Sequence, residues 1–101
     1  MANFVKVCKT TDIPTGRGKS VEINGKTVAV FNVDGNFYAI NDTCAHRGGP
    51  LGEGELDGNT VTCPWHGWRY DVTSGANELV PGMPQERYPV KIDGEDVLVE
   101  L

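Results

Sequence analysis

The sequence predicts an all-β protein, an antiparallel sandwich or small barrel. Two observations carry this reading. Short β-branched or aromatic runs are separated by Asn-Gly and Asp-Gly pairs, and no long stretch keeps a helical apolar period. Those dipeptides tolerate the positive φ angles that two-residue hairpin turns demand. Thirteen glycines and six prolines punctuate the 101 residues too often for long helices.

Taken in order, Cys8 lies in a predicted first strand and reads as a structural cysteine. Asn24-Gly25 separates the runs 20–23 and 26–33, and Asp34-Gly35 leads into 36–40, which makes a three-stranded meander. Asp57-Gly58 turns the chain between 55–56 and 60–62. Near the end, Asp93-Gly94 joins 88–92 to 96–100, a hairpin with apolar residues at every second position. From Asn41 to Pro84 the strands are short and loops dominate. Loops mounted on a rigid β scaffold are where binding residues concentrate.

Length and composition narrow the function classes. A chain of 101 residues with 39% apolar content fits one domain, 1–101. No apolar run reaches the roughly 20 residues of a membrane span, and the first residues lack the basic-then-apolar profile of a secretion signal. The expectation is a cytoplasmic protein. A net charge of -5 disfavours non-specific binding to nucleic acid or anionic lipid and suits a locally basic partner. Three cysteines, an odd number without an export signal, read as ligands or buried apolar groups rather than a disulfide framework.

The chemistry concentrates in two short clusters. Cys44-Ala45-His46 is followed, after sixteen intervening residues, by Cys63-Pro64-Trp65-His66, and these hold both histidines and two of the three cysteines of the chain. The competing reading makes Cys44 and Cys63 small buried hydrophobes beside ordinary loop histidines. Each cluster contributes one thiolate and one imidazole, unlike a C2H2 zinc finger, which pairs like with like. Ligands that segregate into two sulfurs and two nitrogens suit two irons bridged by sulfide. A single tetrahedral Cys2His2 zinc remains geometrically open.

Cys-x-His, sixteen residues, then Cys-x-x-His with Gly67 after the last histidine resembles the signature of the Rieske family. The likeness runs over nearly the whole length, from the hairpins before the first cluster through 67–71 to the terminal hairpin. It implies a Rieske-type antiparallel sandwich with a two-loop cluster-binding subdomain at about 41–84. It also implies one 2Fe-2S cluster, with Cys44 and Cys63 on the inner iron and His46 and His66 on the iron nearer solvent. Two ferric irons, two sulfides and two thiolates are neutral overall, whereas four thiolates leave an oxidised cluster at -2. Adding an electron to the neutral centre is easier, hence the rise from about -400 mV for plant-type clusters to about -150 mV or above for Rieske centres. Ferric iron also acidifies the free imidazole N–H groups, so electron uptake and proton binding are expected to be linked.

Respiratory and photosynthetic Rieske proteins add a disulfide between the ligand loops. Gly49 and Trp65 stand at those positions here, so that cross-link cannot form. Trp68 stands where the high-potential relatives have a serine hydroxyl. Tyr70 matches a tyrosine that reaches a cysteine sulfur, although a strand aromatic in the core is an equal reading. With fewer hydrogen bonds to the cluster, a potential near the low end of the Rieske range is expected. Gly48, Gly49 and Gly67 are read as allowing backbone amides near the sulfides, or as turn makers. Pro81-Gly82-Met83-Pro84 resembles the proline loop that covers the cluster. Trp65 and Trp68 are read as shielding the site, with plain core packing as the alternative. Arg47 is a candidate partner contact, with a solvated loop charge the competing account.

Rieske oxygenases need a further mononuclear iron on two more histidines, and none is left; no Gly-rich βαβ fingerprint for a flavin or nicotinamide is present either. The likeness is greatest to the soluble ferredoxins of multicomponent aromatic-ring dioxygenases. That implies a monomeric one-electron shuttle, not an enzyme, docking transiently to a ferredoxin reductase and then to a terminal oxygenase. The alternative is a Rieske-like small subunit held within a larger oxidoreductase such as a nitrite reductase.

Overall fold

The computed structural model describes residues 4–23, 25–43, 50–65, 67–78 and 85–100. Ten strands and two 3-10 turns, at Thr10–Asp12 and Leu51–Glu53, make up the regular structure among them. The strands are β1 (Phe4–Lys9), β2 (Arg17–Ile23), β3 (Lys26–Val33), β4 (Asn36–Asn41), β5 (Glu55–Asp57), β6 (Thr60–Thr62), β7 (Arg69–Asp71), β8 (Arg87–Tyr88), β9 (Val90–Asp93) and β10 (Asp96–Glu100). They form three antiparallel sheets ordered β1-β10-β9, β2-β3-β4-β8 and β5-β6-β7.

The predicted meander is the heart of this arrangement. Successive strand residues point to opposite faces. Ala29, Phe31 and Val33 of β3 join Ile40, Leu51, Val61, Cys63, Tyr70 and Val72 in one core. Val28 and Val30 join Cys8, Ile13, Ala39, Tyr88, Val97 and Val99 in a second. The central sheet thus packs against the β5-β6-β7 sheet on one face and the β1-β10-β9 sheet on the other. This accounts for the nearly continuous apolar run of β3, which has no solvent face to keep polar. Its one interior polar residue, Asn32, is satisfied: Nδ2 donates to Ile13 O at 2.8 Å, and Oδ1 accepts from Gly35 N at 2.8 Å.

Two predicted turns shift by one residue. Asp57 pairs with Thr60 and Asp93 with Asp96, so the two-residue loops are Gly58-Asn59 and Gly94-Glu95. Gly58 has φ 61° and Gly94 φ 63°, while Asn59 and Glu95 stay at negative φ. A glycine at the first loop position is the type II′ solution. The predicted strand 88–92 is also divided. Tyr88 pairs with Ala39 in the central sheet, Val90 pairs with Val99 in the terminal sheet, and Pro89 lies between. Proline has no N–H to give to either ladder, which makes it the natural point for a strand to change sheets.

Cys8 takes the structural role expected of it. One extra residue between Lys6 and Cys8 forms a bulge that sets Cys8 opposite Val97, within the second core. Burial, reinforced by the Asp12 carboxylate, raises its thiol pKa. In the same core Tyr88 is pushed up to about 12, mainly by burial and then by hydrogen bonding to Glu86 and its charge. The folded chain therefore keeps a proton that the unfolded chain releases near pH 10. Its contribution is intact below about pH 10 and is lost as pH rises to about 12. Urea midpoints should fall between pH ~9 and ~11.5, and Tyr88→Phe should make that fall shallower.

Candidate metal centre

The β5-β6-β7 sheet presents the second cysteine-histidine cluster. Leu56, Val61 and Tyr70 form one cross-strand row and pack into the first core. The alternate residues, among them Glu55, Asp57, Thr62 and Arg69, therefore face outward. Beyond β6 the pairing continues for one step: Cys63 N–H donates to Trp68 O at 2.7 Å, and Gly67 N–H donates to Cys63 O at 3.0 Å. Cys63, Gly67 and Trp68 thus form the base of a tip, fixed by two backbone hydrogen bonds. Gly67 has φ 75°, and no described atom stands within 4 Å of where a Cβ would be. Its requirement is one of backbone conformation.

Cys63 is 2% exposed and sits at the edge of the first core. A thiol there is shielded from water yet placed at a sheet tip, a position that suits an inner metal ligand better than a surface one. The two tryptophans divide. Trp68 is partly buried and packs against the first core, as the competing reading had it, whereas Trp65 is 58% exposed. Tyr70 is fully buried in the same core and pairs across a bridge with Asn77.

The first cluster is approached through Thr43 and left through Pro50, and these two residues pair in an antiparallel bridge. Asp42, 5% exposed, fastens that base. Its Oδ1 accepts from Ser20 Oγ at 2.7 Å and from Gly52 N at 2.7 Å, its carbonyl accepts from Leu51 N at 2.8 Å, and its N–H donates to Thr27 O at 3.1 Å. A Cβ on Gly52 would lie 2.5 Å from Ser20 N, so only glycine lets the turn close on β2. Gln85 holds the other side: Nε2 donates to Asn41 O at 2.6 Å and to Thr43 O at 2.7 Å.

Of the candidate residues, Cys63, Trp65, Gly67, Trp68 and Tyr70 are described, and they gather at or beside the tip. Cys44, His46, Arg47, Gly48, Gly49, His66 and Pro81 with the rest of 81–84 lie outside the described residues. Asp42 and Gln85 were not singled out from the sequence. Asp42 offers a faint signal, an acid two residues before Cys44, and Gln85 offers none because its partners lie more than forty positions away.

Donor chemistry fits a two-iron centre. Cys63 supplies a buried thiol, and the chain pairs a second cysteine with exactly as many histidines as two imidazole ligands require. An alanine at position 67 should lower stability by about 1–2 kcal/mol through its left-handed φ, read by urea denaturation, with visible absorption reporting cluster retention.

The comparisons agree with this chemistry. The Rieske 2Fe-2S domain pattern matches residues 3–97. The biphenyl dioxygenase ferredoxin subunit of Pseudomonas sp. (strain KKS102) is 39% identical over 100 residues, covering 97% of this chain and 92% of that protein. The ferredoxin of carbazole 1,9a-dioxygenase from Nocardioides aromaticivorans IC177 superposes with a TM-score of 0.90 at 28% identity, covering 98% of both chains. A chain from a complex of reduced oxygenase and oxidized ferredoxin in carbazole 1,9a-dioxygenase gives 0.88 at 34% identity, covering 96% of this chain and 92% of that one. The chain therefore belongs to the Rieske 2Fe-2S domain family, with one cluster of that type as its cofactor.

Proposed function

We propose that this chain is a ferredoxin component: a one-electron carrier that receives an electron from a ferredoxin reductase and delivers it to a terminal oxygenase of the aromatic-ring dioxygenase class. The observation that carries this reading is the end-to-end match with ferredoxin subunits, 97% of this chain against 92% of the biphenyl dioxygenase component. The curated relatives matched over that length, at 36–39% identity, are named ferredoxin subunits, components that carry electrons. In this reading 1–101 is one domain, with the cluster-binding part at about 41–84, acting as a cytoplasmic monomer.

Cys44 and Cys63 would hold one iron and His46 and His66 the other. When bound, the cluster supplies reversible one-electron transfer. The chain's part is to bury Cys63, to fix the base of the tip through Trp68 O and Gly67 N, and to keep both ends of the first loop together through Asp42. Replacing His46 or His66 with alanine should abolish the visible spectrum of the two-iron centre. A variant that kept a normal spectrum would show that the wrong histidine had been assigned.

Docking falls to the surface around the tip. Trp65 offers a large apolar contact, the kind of residue that anchors interfaces. Glu55 and Asp57 face outward from the same sheet, and the net charge of -5 favours a basic partner surface. Trp65→Ala should leave the spectrum intact while raising the ferredoxin concentration for half-maximal oxygenase turnover by roughly 10-fold, with a binding rate that falls as salt rises. The function itself is tested by reconstituted turnover with a reductase and an oxygenase. Dependence of product on this chain supports the shuttle, and co-purification at fixed stoichiometry with a large catalytic chain would overturn it in favour of a bound subunit.

A further inference from the structure

Gln85 is the residue at which parts of the site meet, through its side chain on one side and its backbone on the other. Its backbone N–H donates to Gly75 O at 2.7 Å, in the turn that follows β7. Its Nε2 donates to Asn41 O at 2.6 Å and Thr43 O at 2.7 Å, at the approach to the first cluster. Asn41 N–H donates back to Glu86 O at 2.8 Å, closing the contact on the backbone side. Gln85 also directly follows 79–84 in the chain. One buried residue, 7% exposed, thus joins the approach to Cys44 through its side-chain amide and the return from the tip that carries Cys63 through its backbone N–H.

The chemistry of the contact is selective. A primary amide nitrogen offers two diverging protons, and here they meet two carbonyls that flank Asp42. A carboxylate would set negative charge against both carbonyls. A thioether of the same length would fill the space and leave both acceptors without this donor. Asp42 grips the same two-residue step from the opposite side, through Ser20 and Gly52, so the approach to Cys44 is held between two polar side chains.

We infer that Gln85 is a positioning residue for the iron-sulfur centre: it holds Thr43, and with it the adjoining ligand Cys44, in register with the tip that presents Cys63. The inference rests on the ligand assignment proposed above. Its test uses cluster-loaded wild-type protein, Gln85→Met, Gln85→Asn, and Val97→Ala as a control destabilised in the other core. Three quantities are measured: the rate at which excess EDTA bleaches the visible absorption, the midpoint potential by protein-film voltammetry, and global stability in urea.

Gln85→Met should bleach ~10-fold faster than wild type and shift the potential, because two hydrogen bonds at the ligand approach are lost. Gln85→Asn, which keeps the donor but is one methylene shorter, should be intermediate. Val97→Ala should lose global stability while keeping the wild-type potential and a bleaching rate within ~2-fold of wild type. If both Gln85 variants follow Val97→Ala in rate and potential, Gln85 is only a scaffold residue and the inference is overturned. Should Gln85→Met not fold, Gln85→Asn decides by the same comparison. A wild-type protein lacking the two-iron spectrum would overturn the ligand assignment and this inference with it, a result distinct from any difference among variants.

Discussion

The double burial of β3 is the constraint from which the rest of the architecture follows. With Ala29, Phe31 and Val33 on one face and Val28 and Val30 on the other, the strand has to be covered twice. Burial of apolar area contributes about 25 cal/mol per Å², so leaving either face wet would forfeit much of the stabilisation available to so short a chain. One cover is the sheet formed by the two chain ends, β1 with β10 and β9. The other is the small sheet β5-β6-β7, which exists in this form because Leu56, Val61 and Tyr70 must dock on β3 and β4. The tip that carries Cys63 is an extension of that second cover.

The division of labour is visible in where polar groups are buried. Asn32 closes the turn region near Ile13, while Asp42 and Gln85 brace the approach to the first cluster. None of these side chains lies inside an apolar cluster without a partner, as expected for polar groups withheld from water. The described base of the candidate site is therefore built on hydrogen bonds anchored in the central sheet, whose strands are themselves fixed by packing.

Much of this was legible in the residue pattern. The meander is signalled by Asn24-Gly25 and Asp34-Gly35, and the pairing of Ile23 with Lys26 and of Val33 with Asn36 has the register that signal implies. The ligand spacing points to the family before any coordinate is seen. Local chemistry did not fix the turn at Gly58-Asn59, because Asp-Gly and Gly-Asn are both acceptable loops and the choice depends on which register buries Leu56 and Val61. The break at Pro89 depends on two sheets competing for one strand. Gln85 is illegible for a similar reason: glutamine carries no intrinsic preference for its site, and its partners Asn41 and Thr43 come near only through the tertiary fold. Trp65 and Trp68 look alike in sequence, and only the direction of the chain at the tip sends one outward.

The first core described above runs from Ala29 and Phe31 of the central sheet out to Cys63, with Trp68 packed against it, so the thiol at the tip is placed by packing. Small zinc modules, by contrast, derive most of their folding free energy from the ion itself. A thiol set among Val61, Tyr70 and Val72 takes its position from their packing, so a change of volume at any of those neighbours would displace it.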